Sequence, residues 1–187
     1  MNTATVRHEL PPFSHPVKVA QISATQSTVR LSASPDECLG LAALWNVLSV
    51  TSLKAELKIA RWKKDGVRIK GQVEAVITQA CVVTLEPVDA TIDETIDQIF
   101  VPEGSKLARI AAEEAAQAIL DPDAPDLPDL FTGDVLDLGV IVAEFAALGI
   151  DPYPRKADID FAGHIEDDGA KDAKRSPFAA LKDWKKD

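Results

Sequence analysis

Cys81 is the residue whose type most invites nucleophilic chemistry, because a thiolate becomes reactive once a nearby base or cation lowers its pKa and solvent can reach it. Its neighbours Ala80, Val82 and Val83 supply neither base nor charge, so Cys81 reads as structural. The other cysteine, Cys38, recurs at helical spacing with Leu41, Ala42 and Trp45 and reads as a buried thiol on a core-facing stripe. His8, His15 and His164 fall in irregular segments, and none stands in a His-Glu-x-x-His arrangement. No Gly-x-Ser-x-Gly motif or phosphate-cradling glycine loop occurs, and the adjacent Glu113 and Glu114 would diverge on a helix rather than converge on a substrate. The expectation is a protein that is not an enzyme, with no catalytic residue, no metal, no cofactor and no evident small-molecule substrate.

A different chemistry is offered by Lys54, Lys58, Trp62, Arg68 and Lys70, which two alternating strands would place on one outer face, with Arg61, Lys63 and Lys64 near the turn. Lysine and arginine pair with phosphates, and an indole offers a stacking platform worth about 1–3 kcal/mol per base. These eight residues are the candidate nucleic-acid or partner-binding set. The same residues have a structural use: exposed cations discourage edge pairing, Trp62 can pack across from Arg68, and the face can dock the chain's own acidic segment. Charge is divided unevenly. The net charge is −10, but residues 1–79 carry +4, residues 80–151 carry −14 and residues 152–187 carry 0. Only the first segment escapes the repulsion that an acidic surface meets at a polyphosphate.

The chain has 187 residues, 46% of them hydrophobic and 27% charged, enough for a buried core in one domain, and two cysteines cannot staple a secreted scaffold. The first residues lack an apolar signal region, and the longest apolar run, Leu138 to Ile150, carries Glu144 and is too short for a bilayer. A cytoplasmic protein with no membrane contact is expected. Residues 1–16, with Pro11, Pro12 and Pro16, read as an irregular lead-in, residues 17–156 as a single α+β domain, and residues 157–187 as a mobile tail with a short helix from Pro177 to Lys186 that aligns Phe178, Leu181 and Trp184. Within the domain, Val17 to Ile22 and Thr28 to Ala33 predict two short strands. Ser34-Pro35-Asp36-Glu37 is a capping box opening a helix to about Asn46.

Strict alternation from Leu53 and again from Val67 predicts a hairpin, and parity requires a three-residue loop with Gly66 left-handed, so that Lys63 faces Val67 and Leu57 faces Val73. Residues 88–101 predict a third strand, added antiparallel, with Asp89, Asp93 and Asp97 on its polar face. A weak helix over 103–119, an acidic proline-rich loop over 121–134 and an apolar helix from Leu138 to Leu148, stopped by Gly149, complete the pattern. The fold class expected is α+β: a mainly antiparallel twisted sheet, with barrel-like closure as one form it can take, two or three packed helices and an acidic loop.

Three ordered motifs then carry a resemblance. They are Cys81-Val82-Val83-Thr84-Leu85-Glu86-Pro87-Val88, Asp137-Leu138-Gly139 with Glu144, and Asp151-Pro152-Tyr153-Pro154-Arg155-Lys156, followed by Ser176 to Lys182. In these the chain resembles the YceD family of large ribosomal RNA subunit accumulation proteins, nearest its alphaproteobacterial branch, over most of its length after Val17. The resemblance implies a non-enzymatic ribosome-biogenesis role in the bacterial cytoplasm, supporting synthesis, processing or stability of 23S (large-subunit) rRNA, with ribosomal RNA or a ribosomal or assembly protein as partner. Many family members have Cys-x-x-Cys where this chain has Thr84 in the second position, which argues against a zinc site. The segment Asp151 to Lys156 reads either as a stiff recognition segment or as a helix stop whose Tyr153 packs back on the sheet. The alternative function is an adaptor whose acidic stretch from Asp121 to Asp137 mimics phosphate and binds a basic ribosomal protein or assembly factor.

Overall fold

The computed structural model describes residues 11–109 and 127–156, all within a compact unit that ends at Lys156. The expected lead-in before residue 11, most of the weak helix after Arg109, the first part of the acidic loop and the tail from residue 157 lie outside the described residues.

The chain runs β1 (Pro16–Lys18), β2 (Ser27–Ser32), α1 (Pro35–Trp45), β3 (Ser49–Trp62), β4 (Gly66–Ala80), β5 (Pro87–Pro102), β6 (Asp129–Phe131), β7 (Val135–Asp137) and α2 (Leu138–Leu148). Strands β2 to β6 form one sheet in sequence order. The first three pairings are antiparallel and β6 is parallel to β5, while β1 and β7 form a separate antiparallel pair. The sheet is therefore mixed and open, and barrel-like closure is corrected: β2 and β6 are its two edges. The acidic loop needs correction too, because Asp129 to Phe131 leave it to pair with Phe100 to Pro102.

Alternation builds the core. Leu53, Leu57 and Ile59 of β3, Val67, Ile69, Val73 and Ile77 of β4, and Ile92 and Ile96 of β5 are all buried on one face. At about 1.5–3 kcal/mol for each fully buried aliphatic side chain, this inner face is the main favourable contribution to folding. Helix α1 lies against β3, and α2 against β4 and β5. The capping box forms as the sequence predicts: Glu37 N donates to Ser34 Oγ and Ser34 N to Glu37 Oε2 at 2.7 Å. Cys38, Leu41 and Ala42 are buried, and Asn46 ends the helix in the left-handed region at φ 53°.

The hairpin turn differs from expectation in register. Three residues, Lys63 to Asp65, form the loop, so Trp62 faces Gly66, Leu57 faces Gly71 and Ala55 faces Val73. This is two residues from the expected pairing, which preserves the parity and hence both faces. The left-handed residue is Lys63, at φ 53°, rather than Gly66. Gly66 is needed for another reason: a Cβ there would sit 2.8 Å from Trp62 Cε3 and 2.9 Å from its carbonyl oxygen.

The first predicted strand also ends early, since Val19–Gln21 is a single 3-10 turn. Arg61 serves the carbonyls of Ala20 and of the two residues that follow the turn. Arg61 Nε donates to Ile22 O at 3.0 Å, Arg61 Nη2 to Ala20 O at 3.4 Å, and Arg61 N to Ser23 O.

The Asp137-Leu138-Gly139 motif is a clamp between the start of α2 and the segment before β1. The Asp137 carboxylate accepts from the amides of Gly139 at 2.9 Å, Val140 at 3.3 Å and His15 at 2.7 Å, and from the Ser14 hydroxyl. Gly139 carries no Cβ because Phe13, Ser14 and His15 pass within 2.8 Å of where it would be. Burial pushes the Asp137 carboxyl up, but the four hydrogen bonds outweigh it and hold the group below its ordinary value. The clamp is thus intact above the unfolded pKa of about 4 and is lost as pH falls through the lower folded value. Asp137→Ala is expected to cost about 2 kcal/mol or more, and Asp137→Asn to flatten the acid limb of a pH–stability curve measured by urea unfolding. An unchanged acid limb would show that the clamp carries no such stability.

Candidate nucleic-acid interface

The face of the sheet opposite the core presents Arg30 on β2, Lys54, Glu56, Lys58 and Trp62 on β3, Arg68, Lys70, Gln72 and Glu74 on β4, and Asp89, Asp93 and Asp97 on β5. Five of the eight candidate residues are therefore brought together on one surface. Lys63 and Lys64 cap its end in the turn, and Arg61 leaves it, since its parity puts it on the inner side where it binds the 3-10 turn.

Strand β5 lays its carboxylates beside the cations of β4. Arg68 donates through Nε and Nη2 to the two oxygens of Asp97, both at 3.0 Å, and Lys70 Nζ lies 3.0 Å from the same carboxylate. Hydrogen bonds from Arg68 and then Lys70 hold the Asp97 carboxyl below its usual range. Gln72 donates to Asp93, Thr78 donates to Asp89 at 2.8 Å, and Arg30 is 2.8 Å from Glu56. Exposed pairs of this kind are screened by solvent and add little to stability, so their main effect is on the potential of the surface. Among the described residues no carboxylate lies within ion-pair distance of Lys54, Lys58, Lys63 or Lys64. The open cations follow β3 and the turn, and the paired ones lie on β2 and β4.

Trp62 is half-buried. Its ring rests against Gly66, and Lys63 Nζ stands 4.1 Å from the ring centroid. A base stacking on the face that Lys63 covers must displace that ammonium, whose contact is worth about 0.5–1 kcal/mol at an exposed site.

Two motifs 70 residues apart meet at the far end of β4. Val82 N donates to Pro154 O at 2.9 Å, Gln79 Nε2 to Asp151 O at 2.9 Å, and Lys156 Nζ reaches Glu86 Oε2 at 2.8 Å. Within the loop, Cys81 N donates to Glu86 O and Leu85 N to Cys81 O. Tyr153 does not pack back on the sheet as one reading of its segment expected: it is 71% exposed, and Pro154 is the buried residue. Leu85 is 77% exposed and left-handed at φ 60°, beside the exposed Val82 and Val83. Glu144 projects from the open side of α2.

Cys81 itself is fully covered. Its pKa is nonetheless lowered to about 6, first by a hydrogen bond from the Thr84 side chain, then by the amides of Lys156, Thr84 and Val83, which together outweigh burial. Thr84 thus has a role that sequence spacing alone did not suggest, in lowering the pKa of the thiol. Among the described residues no three His, Cys, Asp or Glu side chains gather as metal ligands.

The fold and this surface define an α+β domain with an open sheet, one face given to the core and the other to charge. More specifically, the chain belongs to the YceD family, described as large ribosomal RNA subunit accumulation protein YceD, which it matches over residues 69–185. That span contains all three motifs but, of the eight candidate binding residues, only Lys70. No curated protein and no solved structure matches the chain.

Thr84→Val removes the first of the donors to the sulfur. The Cys81 pKa, read from thiolate ultraviolet absorbance against pH in a Cys38→Ser background, is expected to rise from about 6 toward the ordinary value near 8.5. A titration that stays put would show that the hydroxyl does not set it.

Proposed function

We propose that this protein is a non-enzymatic ribosome-biogenesis factor of the bacterial cytoplasm that supports synthesis, processing or stability of 23S (large-subunit) rRNA. It contacts ribosomal RNA, or a protein already bound to it, through the β3 side of the charged face and the turn that ends it. The family supplies the process, and one observation supports the contact: among the described residues the lysines of β3 and its turn have no carboxylate within ion-pair distance while their β4 neighbours are paired. In a chain of net charge −10, such a strip is where a polyphosphate meets least repulsion. Lys63 and Lys64 stand beside Trp62, so a phosphate drawn to the turn and a base replacing Lys63 on the indole are compatible events.

Depletion of the protein is expected to lower large-subunit rRNA relative to small-subunit rRNA in a gradient profile, and an unchanged ratio counts against the proposed process. Binding of large-subunit RNA fragments is expected to weaken with salt. Replacing Lys63→Gln and Lys64→Gln together should reduce the log–log slope by about 1.4, the value for two phosphate contacts on a single strand. An unaltered slope removes the turn from the contact. Pull-downs from nuclease-treated lysate separate the adaptor reading: ribosomal proteins retained after RNA removal would favour it over RNA contact.

A further inference from the structure

The sheet's charged face is not flat. A shallow trough of about 720 Å³ runs across β2, β3 and β4 as far as Thr95 of β5, with Arg30, Lys54, Lys58 and Lys70 among its lining residues. Within it Lys58 and Lys70 are direct cross-strand partners on the same face. Like charges placed opposite each other on antiparallel strands destabilise the pairing. The surroundings relieve the conflict only in part. Asp97, on the β5 side of Lys70, is already shared with Arg68, and Glu56, two residues from Lys58 on the same face, is held by Arg30. Among the described residues Arg30, Arg68 and Lys70 thus take up two carboxylates between them and Lys58 has none within ion-pair distance, on a protein that is otherwise strongly acidic.

We propose that the Lys58–Lys70 pair is the phosphate seat of the trough, taking a phosphodiester group of an RNA strand laid across β3 and β4. This rests on the RNA-contact reading above and names the point of contact. Lys70 has only a share of Asp97 and Lys58 has no carboxylate within ion-pair distance among the described residues, so a phosphate arriving from the open side adds the negative charge that this pair is short of. Lys54 lies four residues from Lys58 along the same face, about 13 Å at strand rise, and stands ready for a later phosphate of the same strand. Glu74 is the register partner of Lys54, with no ion pair between them, so the Lys54 end of the trough carries less net positive charge than the end at Lys58 and Lys70.

A site that keeps like charges together for a ligand has a signature that a merely structural pair lacks, because removing one charge stabilises the free protein while weakening the complex. Lys58→Glu, which turns the repulsive pair into an attractive one, is expected to raise Tm by about 1–4 °C and to weaken binding of a large-subunit RNA fragment at least tenfold at low salt. Lys58→Gln with Lys70→Gln should reduce the salt slope by about 0.7, the value for one phosphate contact on a single strand. RNA binding that is unchanged in both variants overturns the inference. So does a wild-type protein stabilised by inorganic phosphate at matched ionic strength whose RNA affinity ignores both substitutions, since that outcome assigns the seat to a free anion. In a depletion strain, restoration of large-subunit rRNA by Lys58→Glu as fully as by wild type discards the seat and leaves the biogenesis role standing. Depletion that leaves the rRNA ratio unchanged strikes at the role itself.

Discussion

One pairing register across β3, β4 and β5 governs the molecule. With Leu57 opposite Gly71 and Gly71 opposite Ile96, every odd position of β3 and β4 from Leu53 to Ile77 turns inward together with every even position of β5. A slip of one residue on any of the three strands would carry its aliphatic row into water and its charged row into the core. The hydrophobic requirement of the inner face therefore also decides which charges meet on the outer face. Asp97 lies between Arg68 and Lys70, and Lys58 confronts Lys70, because Ile59, Ile69 and Ile96 have to share the other side.

The remaining parts serve that sheet from its ends. At one end Asp137 gathers four donors from two distant segments and fixes the start of α2. At the other end the segment from Asp151 to Lys156 crosses the Cys81 loop and is held by the amide of Val82, the Gln79 side chain and Glu86. Two of the three family motifs thus have plain structural uses. The Cys81 loop adds a further property, exposed apolar side chains on a backbone that holds Leu85 left-handed. A branched residue in that conformation costs on the order of 1–3 kcal/mol, offset by the hydrogen bonds that close the loop.

Periodicity made the long elements legible. The alternation from Leu53, from Val67 and from Val88 corresponds to β3, β4 and β5, and the Ser34 capping box marks the start of α1 at the correct residue. Short elements were not legible, for a physical reason. At the turn over residues 19–21 and just after it, Arg61, some forty residues later, supplies donors for the carbonyls of Ala20, Ile22 and Ser23, and Asp129 to Phe131 pair because β5 offers a free edge. Neither partner is local, and local composition cannot report it. The hairpin was found but misregistered by two, since parity is indifferent to a shift of two and the packing of Trp62 on Gly66 settles it. On the candidate surface, the sequence identified the cations but not their partners, because Arg68 and Asp97 are neighbours only after β5 adds to the hairpin.

The pairing of β1 with β7 closes a loop of more than a hundred residues, from Pro16 to Asp137. Such closure is entropically late, since a long chain must be gathered before the first contact is rewarded. The meander from Ser27 to Pro102 has only neighbour-to-neighbour pairings and suffers no such delay. During translation the charged face can therefore be complete while β1 is still unpartnered, and the Asp137 clamp closes only when its own stretch of chain has left the exit tunnel. A nascent chain that stalls before Asp137 holds the strands of the outer surface but not yet the helix α2 that roofs the inner one.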